Sequence, residues 1–236
     1  MSEKEIWWKK SPAEFERFTR ELEDFESLGY QIEGEQITIS GTWAVLGANT
    51  LIRRYEIKII LPSDFPWSPP LVFEVGGRIP RDMKFHVNIT DGSACLFARP
   101  ERFEKCPPGS GIREFLNGPV KEFFFSQAYR NLSGTWPFDE WSHGDEGILE
   151  YYASRLGTGD IAVLHDLLKL VLLPRLHRQW RCPCNSSKRV TACHAERIRE
   201  LAKAIHPEEI NEAIRLTEDA VRTGKREVRV RTGVQN

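Results

Sequence analysis

The 236-residue chain has no apolar run approaching the roughly 20 residues needed to cross a bilayer, so a membrane role is not expected. Its first five residues, Met-Ser-Glu-Lys-Glu, lack the pattern of a signal peptide, and a cytoplasmic location is the expectation. Neither sign of charge dominates: 33 Lys and Arg stand against 34 Asp and Glu. That balance removes any global electrostatic case for nucleic acid or an anionic membrane as partner, and any basic patch must be local. There is no Walker-type glycine loop, hence no expected ATP site, and any adenylation would occur elsewhere. No internal repeat is seen. Cysteine is scarce, with five residues, an odd number. Three of these crowd into Cys182, Cys184 and Cys193, which suits a metal or a thiolate in a reducing compartment better than a disulfide framework.

What is present is enough apolar residue, 40% with 11% aromatic, for one substantial core and a smaller appendage. The clearest element is an opening helix. Ser11 is placed to cap it, Pro12 to sit in its first turn and Glu14 to complete a capping box, while Phe15, Phe18, Leu22 and Phe25 share a face. Strand-like runs follow at 36–40, 43–46, 55–61 and 71–75, and their short connections favour an antiparallel meander. The chain is loop-like from Pro80 to about Ser110 and holds the isolated Cys95 and Cys106, the latter read as incidental.

Aromatic residues then recur between Asn117 and Leu156, consistent with helices closing over the core. Gly157 and Gly159 suggest a boundary between a larger domain at 1–156 and a helical region at 160–236. In the latter, Ile161, Leu164, Leu167, Leu168, Val171 and Leu172 form a helical apolar face, with further helices near 195–205 and 208–222. The tail at 225–231 alternates charge with valine and reads as an added strand or a frayed end. Trp7 and Trp8 read as core, with a partner-binding patch as the other use. The fold class is α+β.

The chemistry concentrates between Tyr55 and Leu96. In FPWSPP (65–70) the prolines remove amide donors and fix φ, giving a rigid connection between neighbouring strands rather than a tight hairpin. His86-Val87-Asn88 precedes Cys95, with Gly92 between to allow a reversal, so imidazole and amide can fold back beside the thiol. A neutral amide such as Asn88 suits an oxyanion on a thioester carbonyl, and His86 suits stiffening of the loop through backbone bonds. On its own Cys95 would read as a buried free cysteine; its neighbours reverse that.

These motifs together resemble the ubiquitin-conjugating enzyme family, whose pattern is a strand, F-P-x-x-P-P, a strand, His-Pro-Asn, a short loop, Gly, and the catalytic Cys followed by Leu. The likeness spans about residues 11 to 96. It implies the ubiquitin-conjugating fold: N-terminal helix, four-stranded antiparallel meander, catalytic loop and C-terminal helices. It further implies Cys95 as the thioester cysteine, Asn88 as the transfer-stabilising amide and His86 as a loop-ordering residue, with Gly92 and Leu96 in their expected places. Val87 stands in for the middle proline, the loop to Cys95 is one residue shorter, and the chain after Leu96 leaves the eukaryotic pattern. The segment NGPVKEFFFSQAYRNLSGTWPFDEWSHGDEGILEYY resembles stand-alone conjugating proteins of bacterial anti-phage (CBASS-like) operons. By that resemblance the partners are a protein modifier or a cGAS-like nucleotidyltransferase, an acceptor protein, and a separate activating enzyme where one is used. His143, Asp139, Asp145 and Glu146 are candidates to orient or deprotonate the incoming amine, His143 foremost, with a turn role as the other reading of its segment.

Near the end, Cys182-Pro183-Cys184 followed by Cys193-His194 supplies three thiols and an imidazole, a complement suited to tetrahedral zinc. The spacing resembles the SEC-C zinc-binding motif, with Asn185-Ser186-Ser187 in place of its usual glycines and Lys188-Arg189 keeping its basic centre. With four protein ligands the zinc would be structural, its motif at 182–194 helping to fold the small helical zinc-binding appendage at 160–236. The functional expectation is a transferase in anti-phage defence that forms a Cys95 thioester with a protein C-terminus and passes it to an amine. The alternatives are an inactive binding module of the same fold, or a cysteine hydrolase using Cys95 with His86 or His143.

Overall fold

The computed structural model describes residues 6–47, 50–138 and 141–231. It is a mixed α+β structure that divides into two compact units: residues 1–97 with 104–140, and residues 98–103 with 141–236.

The first unit opens with a short helix α1 (Trp7–Lys10) that runs into α2 (Pro12–Leu22). Pro12 occupies the first turn as expected, but the Ser11 side chain makes no capping bond. The expected capping box with Glu14 does not form either: the Ser11 backbone N–H that Glu14 would accept from is committed to the Trp7 carbonyl at 2.8 Å, because the chain arrives from a preceding helical turn, and Glu14 faces Arg17. Phe18 and Leu22 are buried, while Phe15 and Phe25 pack at the margin, Phe25 beyond the helix end and stacked on Trp43. Trp7 is core, wedged against Phe18 and Phe65.

Four strands, β1 (Leu28–Glu33), β2 (Gln36–Gly47), β3 (Thr50–Ile60) and β4 (Leu71–Glu74), form an antiparallel sheet in the order 1-2-3-4. The meander is as expected, but its membership differs. Residues 36–40 and 43–46 belong to one strand, and the first strand lies earlier, at Leu28–Glu33. Gly41, which looks like a break, lies on the inward side of β2 with Ile37, Ile39, Trp43 and Val45. A Cβ there would sit 2.0 Å from the Ser27 carbonyl oxygen, so glycine is required by close approach within a continuous strand. β1 is an edge strand with only Leu28 buried, so it has no alternation to read.

The loop after β4 contains one 3₁₀ turn, Met83–Phe85. Helix α3 (Arg102–Lys105) straddles the division between the units; α4 (Ile112–Phe115) then passes through a π-helical turn at Leu116–Val120 into α5 (Lys121–Ser133). The wide turn holds Pro119, whose ring and missing N–H would break a regular helix. Helix α5 lays Phe124 against Tyr55 and Trp43 on the sheet.

The second unit is helical: α6 (Asp145–Leu156), α7 (Ile161–Val171), α8 (Ala195–Ala204) and α9 (Pro207–Arg222). Its boundary falls before α6 rather than at Gly157, because Leu149, Tyr151, Tyr152, Ala153 and Leu156 are buried with α7, α8 and α9. Gly157 is the left-handed C-cap of α6. Asp160 caps α7 by accepting from the Ala162 and Val163 amides. The excursion at 98–103 is held here by Arg99 and Arg102 on buried Glu209, and by the Trp141 indole donating to Glu101. The tail is neither a full strand nor frayed. It is a strap, with Val228 buried, its N–H on the Gly159 carbonyl, and the Ile161 N–H on the Arg226 carbonyl. No helix among the described residues is long and apolar enough to cross a membrane.

Candidate active site and metal-binding cluster

Cys95 is half-buried in the first unit, on a loop that the backbone ties down at several points. The Ala94 N–H donates to the Val72 carbonyl on β4 at 2.7 Å, so the residue before the thiol is fastened to the sheet. The Cys95 N–H donates to the His86 carbonyl at 2.8 Å, and Val87 pairs with Ala94 in an isolated antiparallel bridge. Val87 also uses its own N–H, on the Asp82 carbonyl at 3.3 Å, a bond that a proline could not make. Between the two arms Gly92, at φ +81°, turns the chain, and its N–H bonds the Asn88 carbonyl. Arg81 grips the outside of the loop through the carbonyls of Ile89 and Thr90.

Side chains form a directed chain behind the sulfur. The Ser93 hydroxyl and N–H both donate to the Asp91 carboxylate, at 2.8 and 2.9 Å. With its one proton spent, the Ser93 oxygen accepts from Asn88 Nδ2 at 2.8 Å. The Asn88 amide oxygen is thereby turned to the thiol, which donates to it at 3.2 Å. The two bonds from Ser93 hold the Asp91 carboxyl below its usual range, keeping it charged. Burial, and after it the Asp91 charge, pushes the Cys95 thiol up, so the resting group is the protonated thiol.

Of the expected residues, Cys95, Asn88 and His86 are thus on one loop. His86 is the left-handed C-cap of the 3₁₀ turn, supplies the carbonyl for Cys95, and sets its ring edge-on to Trp136. His143, Asp145 and Glu146 fall in the second unit, where His143 and Asp145 are exposed and Glu146 pairs with Lys225. Asp139 lies outside the described residues. Cys106 is buried in the first core. Asp91, Ser93 and Arg81 are site residues not anticipated. Asp91 and Ser93 were findable, since Asp followed two residues later by Ser is a pattern for side-chain-to-backbone turns. Arg81 has no local signal, because its partners are set by the loop's return.

The second unit gathers Cys182, Cys184, Cys193 and His194, whose ligand atoms lie within 4.8 Å of one another and could hold a metal ion. The Cys182 and Cys193 sulfurs are 3.1 and 3.2 Å from His194 Nδ1, and Cys184 lies 3.3 and 3.5 Å from the other two sulfurs. A tight knuckle sets this up: the Cys182 N–H bonds the Lys188 carbonyl, Arg181 bridges Arg189, and Asn185 and Ser187 take left-handed backbone at φ +57° and +60°. Burial pushes the Cys182 thiol up to about 12. Burial pushes Cys184 the same way, but hydrogen bonds with Ser186, Cys182 and Cys193 together outweigh it and bring that thiol down to about 7. Burial and Arg197 lower the His194 pKa, favouring the neutral imidazole that a metal requires.

Fold and sites define an α+β protein with a cysteine-bearing loop on a four-stranded antiparallel sheet and a Cys₃His cluster in a helical unit. No protein-family model, no curated protein and no solved structure matches the chain.

Proposed function

We propose that the first unit is a ubiquitin-conjugating-like transferase in which Cys95 takes up the C-terminal acyl group of a protein modifier as a thioester and passes it to an amine. The observation that carries this reading is the Asn88 amide at 3.2 Å from the Cys95 sulfur, on a loop fastened to β4. An amide beside the acylated sulfur can donate to the oxyanion that forms when an amine attacks the thioester carbonyl. The neutral amine nitrogen bonds to the carbonyl carbon, the C–S bond breaks, and the sulfur leaves as thiolate; the proton that the nitrogen sheds passes through solvent to the sulfur, and the restored thiol again donates to the Asn88 oxygen. At rest the amide presents its oxygen, not its nitrogen, to the sulfur. For the transfer step it turns end for end, and Ser93 redirects its proton from Asp91 to the amide oxygen. The ubiquitin-conjugating fold is supported by the helix, meander and loop order. The anti-phage setting, with a cGAS-like nucleotidyltransferase as cargo, rests on the resemblance of the 117–152 segment.

Cells expressing the protein with its genomic neighbours test this on non-reducing gels. A reductant-sensitive adduct is expected for wild type, absent in Cys95→Ala and reductant-stable in Cys95→Ser. In Asn88→Ala the adduct forms, while its discharge to an amine slows about 10²- to 10³-fold. A wild-type protein that never forms the adduct overturns the reading.

Zinc is the metal that the second cluster suits: three thiolates and one imidazole are its usual structural set, and tetrahedral bonds of about 2.3 Å place sulfurs about 3.8 Å apart. With all four positions supplied by protein, it would act by folding the knuckle. Elemental analysis should find one zinc per chain, lost in Cys184→Ser.

A further inference from the structure

The chain as a whole is electrically balanced, yet residues 174–203 carry eight Lys or Arg against two Glu, in a chain of formal net charge −1. Part of this charge faces a cleft of about 980 Å³ between the α7–knuckle connection and α8. Its walls bring Arg175, His177, Arg178, Arg199 and Lys203 around Trp180, and no carboxylate lines it. Arg175, Arg178, Arg199 and Lys203 are exposed, and none of them forms an ion pair with a described residue. Arg199 and Lys203 are one helical turn apart on α8, so they share a face. Glu200, one residue from Arg199, is turned about 100° away.

Trp180 is the second observation. Its indole is 42% exposed, an unusual position for the largest apolar side chain, yet its backbone is fixed on both sides. Its N–H donates to the His177 carbonyl at 3.2 Å, and its carbonyl accepts from Val190 at 2.9 Å. The His177 ring lies 5.7 Å from the indole, at 36° between planes. A rigidly held flat ring beside arginines that have no carboxylate partner among the described residues fits a ligand with both flat rings and anionic groups. A cationic ligand or a metal ion finds no carboxylate in these walls, and His177 Nδ1 already accepts from the Gln179 N–H at 3.4 Å. An acidic peptide would satisfy the arginines but offers nothing of matching shape to the indole.

We propose that this cleft binds a short stretch of single-stranded nucleic acid, with phosphates along Arg175, Arg178, Arg199 and Lys203 and a base stacked on Trp180. The site is separate from Cys95 and does not depend on the transferase reading.

Fluorescence anisotropy of the full chain with labelled 20-mers of dT and of U tests it, with poly-glutamate of matched charge as competitor. Both oligonucleotides are expected to bind, with affinity falling as salt rises. Trp180→Ala should weaken binding about five- to 150-fold, and Trp180→Phe should restore much of the loss. Arg175→Gln with Arg178→Gln should lower the salt slope by about 1.4. Circular dichroism confirms that each variant is folded. Absence of oligonucleotide binding at 0.1 M salt, binding indifferent to Trp180→Ala, or displacement by poly-glutamate at equal concentration each overturns the proposal, the last in favour of an acidic protein ligand.

Discussion

The single proton of Ser93 decides the orientation of the candidate site. Because it is given to Asp91, the Asn88 amide must offer its nitrogen to Ser93 and its oxygen to Cys95. Asp91 therefore acts on the sulfur in two ways, by orienting an acceptor toward the thiol and by placing negative charge nearby. Burial and that charge both hold the thiol protonated, so alkylation of Cys95 is expected to rise with pH through a midpoint above that of an unhindered cysteine. Asp91→Asn removes the charge and should move the midpoint to lower pH, read by peptide mass spectrometry of iodoacetamide-labelled protein. An unmoved or raised midpoint would sink this account. The types and order of Cys95, Asn88 and His86 were legible in the sequence because they are close together in it. The Asp91–Ser93 relay was only half legible, since its direction depends on which acceptor takes one proton, and that is settled by loop geometry.

At the level of elements, helices read more reliably than strands. Pro207 opens α9, Asp160 caps α7, and their apolar stripes are long enough to show a helical period. β1 did not read, because an edge strand with a single buried residue carries no alternation, and Gly41 split β2 because its purpose is close approach of Ser27. The Cys₃His knuckle shows the opposite use of a glycine-like position. Asn185 and Ser187 stand in left-handed conformations, and serine there lacks both the freedom of glycine and the tolerance of asparagine. Ser187→Gly is expected to stabilise the second unit by about 1 kcal/mol, measured as a raised denaturation midpoint of the protein in zinc-containing buffer. A lowered midpoint would show that the serine side chain contributes more than its backbone conformation costs.

For the whole molecule, the apolar residues form two separate buried clusters, one on the sheet and one among α6 to α9. A metal in the Cys₃His cluster would contribute to the second, since Cys182 and Val190 are buried within it. Removing it with a chelator should therefore raise amide hydrogen exchange across 161–222 while leaving the sheet at 28–74 unchanged. Equal exchange in both regions with and without chelator would argue that the cluster stabilises nothing. The sequence by itself determined the local signals: the helical stripes, the proline-rich connection, the spacing of Asn88 and Cys95, and the four metal-type ligands, because each is carried by residues near one another along the chain. Only the tertiary structure decided where the units divide, why α6 joins the C-terminal helices, how Arg81 holds the loop, and that basic residues spread over 174–203 converge on one exposed indole. Each of those depends on long-range burial and chain return, and side-chain periodicity along a single segment carries no information about either.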